Sequence, residues 1–206
     1  MGENARRTGQ FRATATDAQS KFSIRRRFQA TTAGSFSLKQ KPCPLCGCAE
    51  SLNRHSKLYG NDPATRNGQS VRGQRVFCSN RGQRGGCGKT FSIFLAEVLP
   101  RHTVRAPLLW QLLGKLLAGL TVRSSVQALR LPFALETLYH LLERLRGRLS
   151  EVRSLLCREH QVPASCQSEP LLQTVEHLQG VFPNPESVRG CALSAFQLRF
   201  QRPLMG

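Results

Sequence analysis

"KPCPLCGC" at residues 41–48 and "VFCSNRGQRGGCGKTFS" at residues 76–92 decide the fold. Each holds a pair of thiols, Cys43 with Cys46 and Cys78 with Cys87. Two thiolates three residues apart can reach one ion, and the proline and glycine around them allow the tight turn that aims backbone N–H groups at sulfur. Four such sulfurs close a tetrahedral site. All-thiolate ligation leaves no position for a catalytic water, so the expectation is one structural Zn²⁺ on Cys43, Cys46, Cys78 and Cys87.

The second pair is unusually wide. Eight residues lie between Cys78 and Cys87, which makes that knuckle an enlarged loop rich in glycine and arginine. Cys48 and, more weakly, His55 are the alternative ligands. A disulfide framework is disfavoured, because eight cysteines in 206 residues come without a secretory signal or the close cystine spacing of small secreted domains.

Charge bounds the partner. Thirty Lys and Arg against twelve Asp and Glu give a formal net charge of +18, and the excess is confined to the residues before 161. Such a field attracts polyanions through phosphate neutralisation, with steep salt dependence. A membrane surface is the competing partner, but the most apolar stretch, Leu108 to Leu120, is too short to span a bilayer and contains Lys115. The expectation is a cytoplasmic, nucleoid-associated protein that binds nucleic acid, most readily double-stranded DNA, with no membrane partner.

Four segments follow from the pattern. Residues 1–41 hold nine cations, two acids and few aliphatic side chains, which predicts a disordered basic arm. Its run Arg25, Arg26 and Arg27, between Phe22 and Phe28, can lie along phosphates while a ring stacks on a base. Residues 42–99 form the zinc ribbon, with strands at "AESLNRHSKLYG", "GQRVFC" and "KTFSIFL" and a loop at "NDPATRNGQSVRG". A sheet this small depends on its metal. Arg72, Arg75, Arg81, Arg84 and Lys89 on that platform are candidate phosphate contacts.

Residues 100–160 change to helical period. Pro107 suits a first turn, and Leu108, Leu109, Leu112, Leu113, Leu116, Leu117 and Leu120 form a wide apolar face. A short helix capped by Ser124 or Ser125 follows. Pro132 ends it, and a third helix starts near Phe133 or Ala134. This order predicts a helix-turn-helix. Thr137, His140, Arg144 and Arg148 point outward on the third helix, where they can reach DNA. The leucine stripe continues through Leu142, Leu145, Leu149, Val152 and Leu156, either as core within one chain or as a homodimer seam, although Gly147 argues against an unbroken helix. Residues 161–206 hold one punctuated helix, capped by Ser168, opened by Pro170 and stopped by Gly180, and then a tail. Cys157, Cys166 and Cys191 are expected as buried thiols. The fold class is thus α+β: a small three-stranded ribbon, then an α-helical bundle.

Cys43-Pro-Leu-Cys-Gly, Cys78 with "GGCGKTFS", and "SVQALRLPFALETLYHLLERLR" together resemble the N-terminal DNA-binding region of bacterial insertion-sequence transposases, over roughly residues 41 to 148. The resemblance implies that the four cysteines carry zinc and that helix 134–147 contacts element ends. Two features depart from that pattern, the long second knuckle and Pro132 in the turn. The nuclease domain of such enzymes places two metal ions on clustered carboxylates. Here the only aspartates are Asp17 and Asp62, and 46 residues follow His160, so no catalytic residues are expected.

Overall fold

The computed structural model describes residues 26–29, 38–63, 65–82, 85–183 and 191–205. Arg25 and Arg84, with most of the basic arm, lie outside them. Four strands form one sheet in the order β1-β4-β3-β2, with β1 at Arg26–Gln29, β2 at Leu52–Asn61, β3 at Gln69–Cys78 and β4 at Thr90–Leu95. β2, β3 and β4 are antiparallel neighbours, the expected ribbon. β3 begins four residues earlier than the turn-rich sequence suggests, because Gln69 to Arg72 pair with the far end of β2, Tyr59 lying opposite Val71. His55 falls at an irregularity in the β2 register, between Arg54 and Ser56.

β1 corrects the picture of an arm disordered through residue 41. It pairs in parallel with β4, Arg26 opposite Ser92, and so covers an edge that would otherwise present unpaired backbone groups. Leu38–Gln40 forms a 3-10 turn whose Leu38 is buried under the ribbon. Composition underestimated this segment because backbone pairing to an existing edge needs few aliphatic side chains.

Among the described residues six α-helices follow: α1 at Ala106–Leu117, α2 at Val122–Leu129, α3 at Leu135–Arg146, α4 at Leu149–Leu156, α5 at Pro170–Val181 and α6 at Ala192–Phe200. α2 starts before the expected serines. Thr121 is its N-cap, accepting from the Ser124 N–H at 3.2 Å, while the Ser125 side chain is buried and donates to the Thr121 carbonyl. Arg130 in a left-handed conformation ends α2, and Pro132 stands in the turn before α3.

The long stripe is broken at Gly147 and Arg148 into α3 and α4. Leu142, Leu145, Leu149, Val152 and Leu156 are all buried in one core with Leu109, Leu112 and Leu113 of α1. The homodimer seam is therefore spent inside the chain.

Residues 191–205, expected as a tail, pack onto the core. α5 begins at Pro170 with Glu169, not Ser168, as its cap residue, and runs past Gly180. Leu193 and Phe196 of α6, with Leu204 and Met205 beyond it, join the same core as residues 100–160. Of the three late thiols Cys191 is buried, whereas Cys157 and Cys166 are exposed. The buried Gln197 amide donates to the carbonyls of Ala96 at 2.6 Å and Val98 at 3.0 Å, and accepts from the Leu204 N–H. One satisfied amide thus ties the C-terminal helix to the exit of β4.

Candidate metal centre and a separate basic groove

The sulfurs of Cys43, Cys46, Cys78 and Cys87 all lie within 4.8 Å of one another. Cys43 and Cys87 are 3.9 Å apart, and Cys46 and Cys78 are 3.7 Å apart. Four thiolates at about 2.3 Å from a tetrahedral Zn²⁺ stand about 3.8 Å from each other, so the donor set fits a single ion in type, number and spacing. These separations are far beyond a disulfide bond of about 2.05 Å. The four cysteines form a structural zinc site.

Local geometry explains the spacing. Each knuckle turns on a left-handed glycine placed directly after a cysteine, Gly47 after Cys46 and Gly88 after Cys87. In the first, the Leu45 N–H points at the Cys43 sulfur at 3.4 Å. In the second, the Cys87 N–H points at the Cys78 sulfur at 3.3 Å. The enlarged loop closes because Gly86 lets Cys87 fold back: a Cβ there would sit 2.7 Å from the Cys78 sulfur and collide with the Ser79 carbonyl. Cys48 belongs to no such group; its thiol is directed at the Ala49 carbonyl. His55 is exposed on β2 and is no ligand either.

Ser51 was not foreseen. Buried and one residue before β2, it lies with its hydroxyl 3.1 Å from the Cys78 sulfur, an outer partner of the kind that holds a thiolate in place. Nothing in the sequence distinguished it from other serines. Burial works to raise the Cys78 pKa, but the Ser51 hydroxyl, the Cys87 N–H and the adjacent thiols outweigh it and bring it down to about 7. Burial pushes Cys43 up to about 12 and also raises Cys87. A divalent cation displaces all of these protons, and metal binding is therefore proton-linked.

The candidate nucleic-acid contacts separate into groups. Arg75, Arg81 and Lys89 are exposed on β3, the second knuckle and the approach to β4. Arg26 and Arg27 lie on β1. Arg72 is corrected: only 8% exposed, it donates to the carbonyls of His102, Asn61 (2.6 Å) and Thr103 (3.1 Å). It holds the ribbon to the loop before α1 and has no reach to phosphate. Arg148 is paired with Glu151 at 2.7 Å.

Thr137, His140 and Arg144 are exposed along one face of α3. With Leu141 and with His102, Thr103 and Val104 they line a groove of about 340 Å³ between α3 and the loop before α1. His102 and Thr103 gave no sequence signal, since the groove exists only once the loop is folded against α3. No family model, curated protein or solved structure matches the chain. None of the described helices is long and apolar enough to cross a membrane.

Proposed function

We propose that the protein is a non-catalytic, zinc-dependent DNA-binding module of insertion-sequence transposase ancestry, serving as an element-end-binding accessory or a transcriptional regulator. The ribbon supplies phosphate contacts through Arg75, Arg81 and Lys89, and the α2-turn-α3 unit is the sequence reader. One observation carries this reading: a metal-built sheet that exposes Arg75, Arg81 and Lys89 is fixed to a helical unit whose third helix exposes Thr137, His140 and Arg144, in a chain of net charge +18. That is the electrostatic footprint of a polyanion binder. The non-catalytic part rests on the donor set, because four thiolates saturate their ion and leave no place for a reacting water.

Titration of labelled duplex DNA at several salt concentrations tests the proposal. Binding that weakens steeply and log-linearly with salt is the expected result. Absent or salt-independent binding overturns it, and preference for structured RNA in competition moves the reading to a ribosome- or RNA-associated ribbon protein.

A further inference from the structure

The groove lies between α3 and the loop from Arg101 to Arg105 that joins the ribbon to the helices. Thr137 lies three and four residues before His140 and Leu141, and Arg144 four and three after them, so they share a stripe. His102, Thr103 and Val104 oppose them from the loop. Val104 and Leu141 are buried, and the remaining five lining residues carry N–H or O–H groups.

The residues that line it carry charge of one sign only. No Asp or Glu lines the groove. Glu143, the nearest acid in sequence to Arg144, is held by Arg146 at 2.6 Å. Arg105, in the same loop as His102, is balanced by Asp62 and Glu97. Arg144 forms no ion pair among the described residues, and Arg72 sits behind the loop on the His102 and Thr103 carbonyls, which turns those two acceptors to its own guanidinium. What remains is a donor-rich hollow with an uncompensated guanidinium.

We propose that this groove seats a backbone phosphate of the bound duplex, with His102, Thr103, Thr137, His140 and Arg144 as its donors. This rests on the DNA-binding reading above and sharpens it: the stripe of α3 that lines the groove grips the backbone, and base edges are left to the rest of the α2-turn-α3 unit. The seat also gives the ribbon and the helices a shared contact, since Arg72 fixes the loop half of the groove to β3. His102 agrees with this. Burial holds its pKa below the ordinary histidine value, and Arg144 and Arg72 repel its proton further. His140 lines the same groove, and Arg101 and Arg105 belong to the same loop. A phosphate seated among them reverses the repulsion, so its binding raises the His102 pKa.

The test uses the zinc-loaded full chain and two readouts. In the first, the His102 ring is titrated by NMR in inorganic phosphate and in chloride of equal ionic strength. The second measures duplex DNA affinity against salt for the wild type, Arg144→Ala and Thr137→Val, both substitutions being at exposed positions. The expected results are a higher His102 pKa in phosphate, lost in Arg144→Ala, and a log–log salt slope that is shallower by about 1 in Arg144→Ala, with weaker binding to every duplex sequence. An unchanged slope in a wild type that binds DNA overturns the seat alone. A His102 response to phosphate without any change in slope marks an adventitious anion only and overturns it too. A wild type that binds no duplex removes the DNA-binding reading itself, and the backbone assignment with it.

Discussion

Arg105, the residue immediately before α1, donates to the Asp62 carboxylate at 2.6 Å from 43 positions away, and it also pairs with Glu97 at the exit of β4. Arg72 works beside it on the carbonyls of Asn61, His102 and Thr103. The far end of the β2–β3 hairpin is thereby fastened to the start of the helical half by two guanidiniums. Replacing Arg72 with Met leaves three carbonyl oxygens without that donor, in a setting where the arginine is almost wholly buried. A loss of about 3 kcal/mol is expected. Urea denaturation at fixed zinc measures it, and a change below about 0.5 kcal/mol would show that water replaces the guanidinium at no cost.

Metal removal separates the two halves. The ribbon buries little beyond Leu38, Leu52, Val76, Phe91 and Ile93, whereas the helices share a core of more than twenty buried side chains. Ligation at such a site contributes on the order of 10 kcal/mol of apparent folding free energy. Chelation is expected to abolish the β-sheet NMR signals while the single tryptophan, Trp110 on α1, keeps its folded fluorescence. Cys87→Ser should lose the ion, and Cys48→Ser should retain one equivalent. Retention of the metal by Cys87→Ser, or its loss from Cys48→Ser, would reassign the ligand set.

The cysteine spacing carried most of the ribbon because ligand chemistry is local: a C-x-x-C turn and a glycine after each second cysteine specify a knuckle wherever they fold. Leucine periodicity did the same for α1 and α3. What stayed hidden depended on distant partners. β1 is a strand only because β4 offers an edge, Gln197 is core only because Ala96 and Val98 present carbonyls, and Arg72 resembles any surface cation until the loop at 102–103 closes over it. Residues 191–205 lacked the punctuation that marked α5, and so their helix was missed although its side chains are among the most buried.

Acid should weaken the helical half. His177 on α5 is 2% exposed, and burial holds its pKa below the ordinary value despite its contact with the His160 carbonyl at 3.3 Å. The unfolded chain therefore binds a proton that the folded one refuses, and stability is full above the ordinary histidine range and falls as pH drops below about 6.5. The slope is at most about 1.4 kcal/mol per pH unit for this group. Denaturation curves between neutral and mildly acidic pH, followed by Trp110, should show it, and His177→Gln should flatten it. An equal slope in that variant would place the titration elsewhere.

Leu142 is fully buried on α3, within the core that also takes Leu109 and Leu113 of α1. Its surroundings come from the same chain, so Leu142→Ala is expected to cost about 2–5 kcal/mol of stability through the cavity it leaves. Oligomeric state should not change. The opposite pattern, a small stability change with a dimer converted to a monomer in light scattering, would mean that the stripe faces a second copy. The intrachain packing makes that outcome unfavourable: a partner helix could reach Leu142 only by displacing the side chains of this chain that bury it, and those apolar side chains would then lose the cover that keeps them out of water.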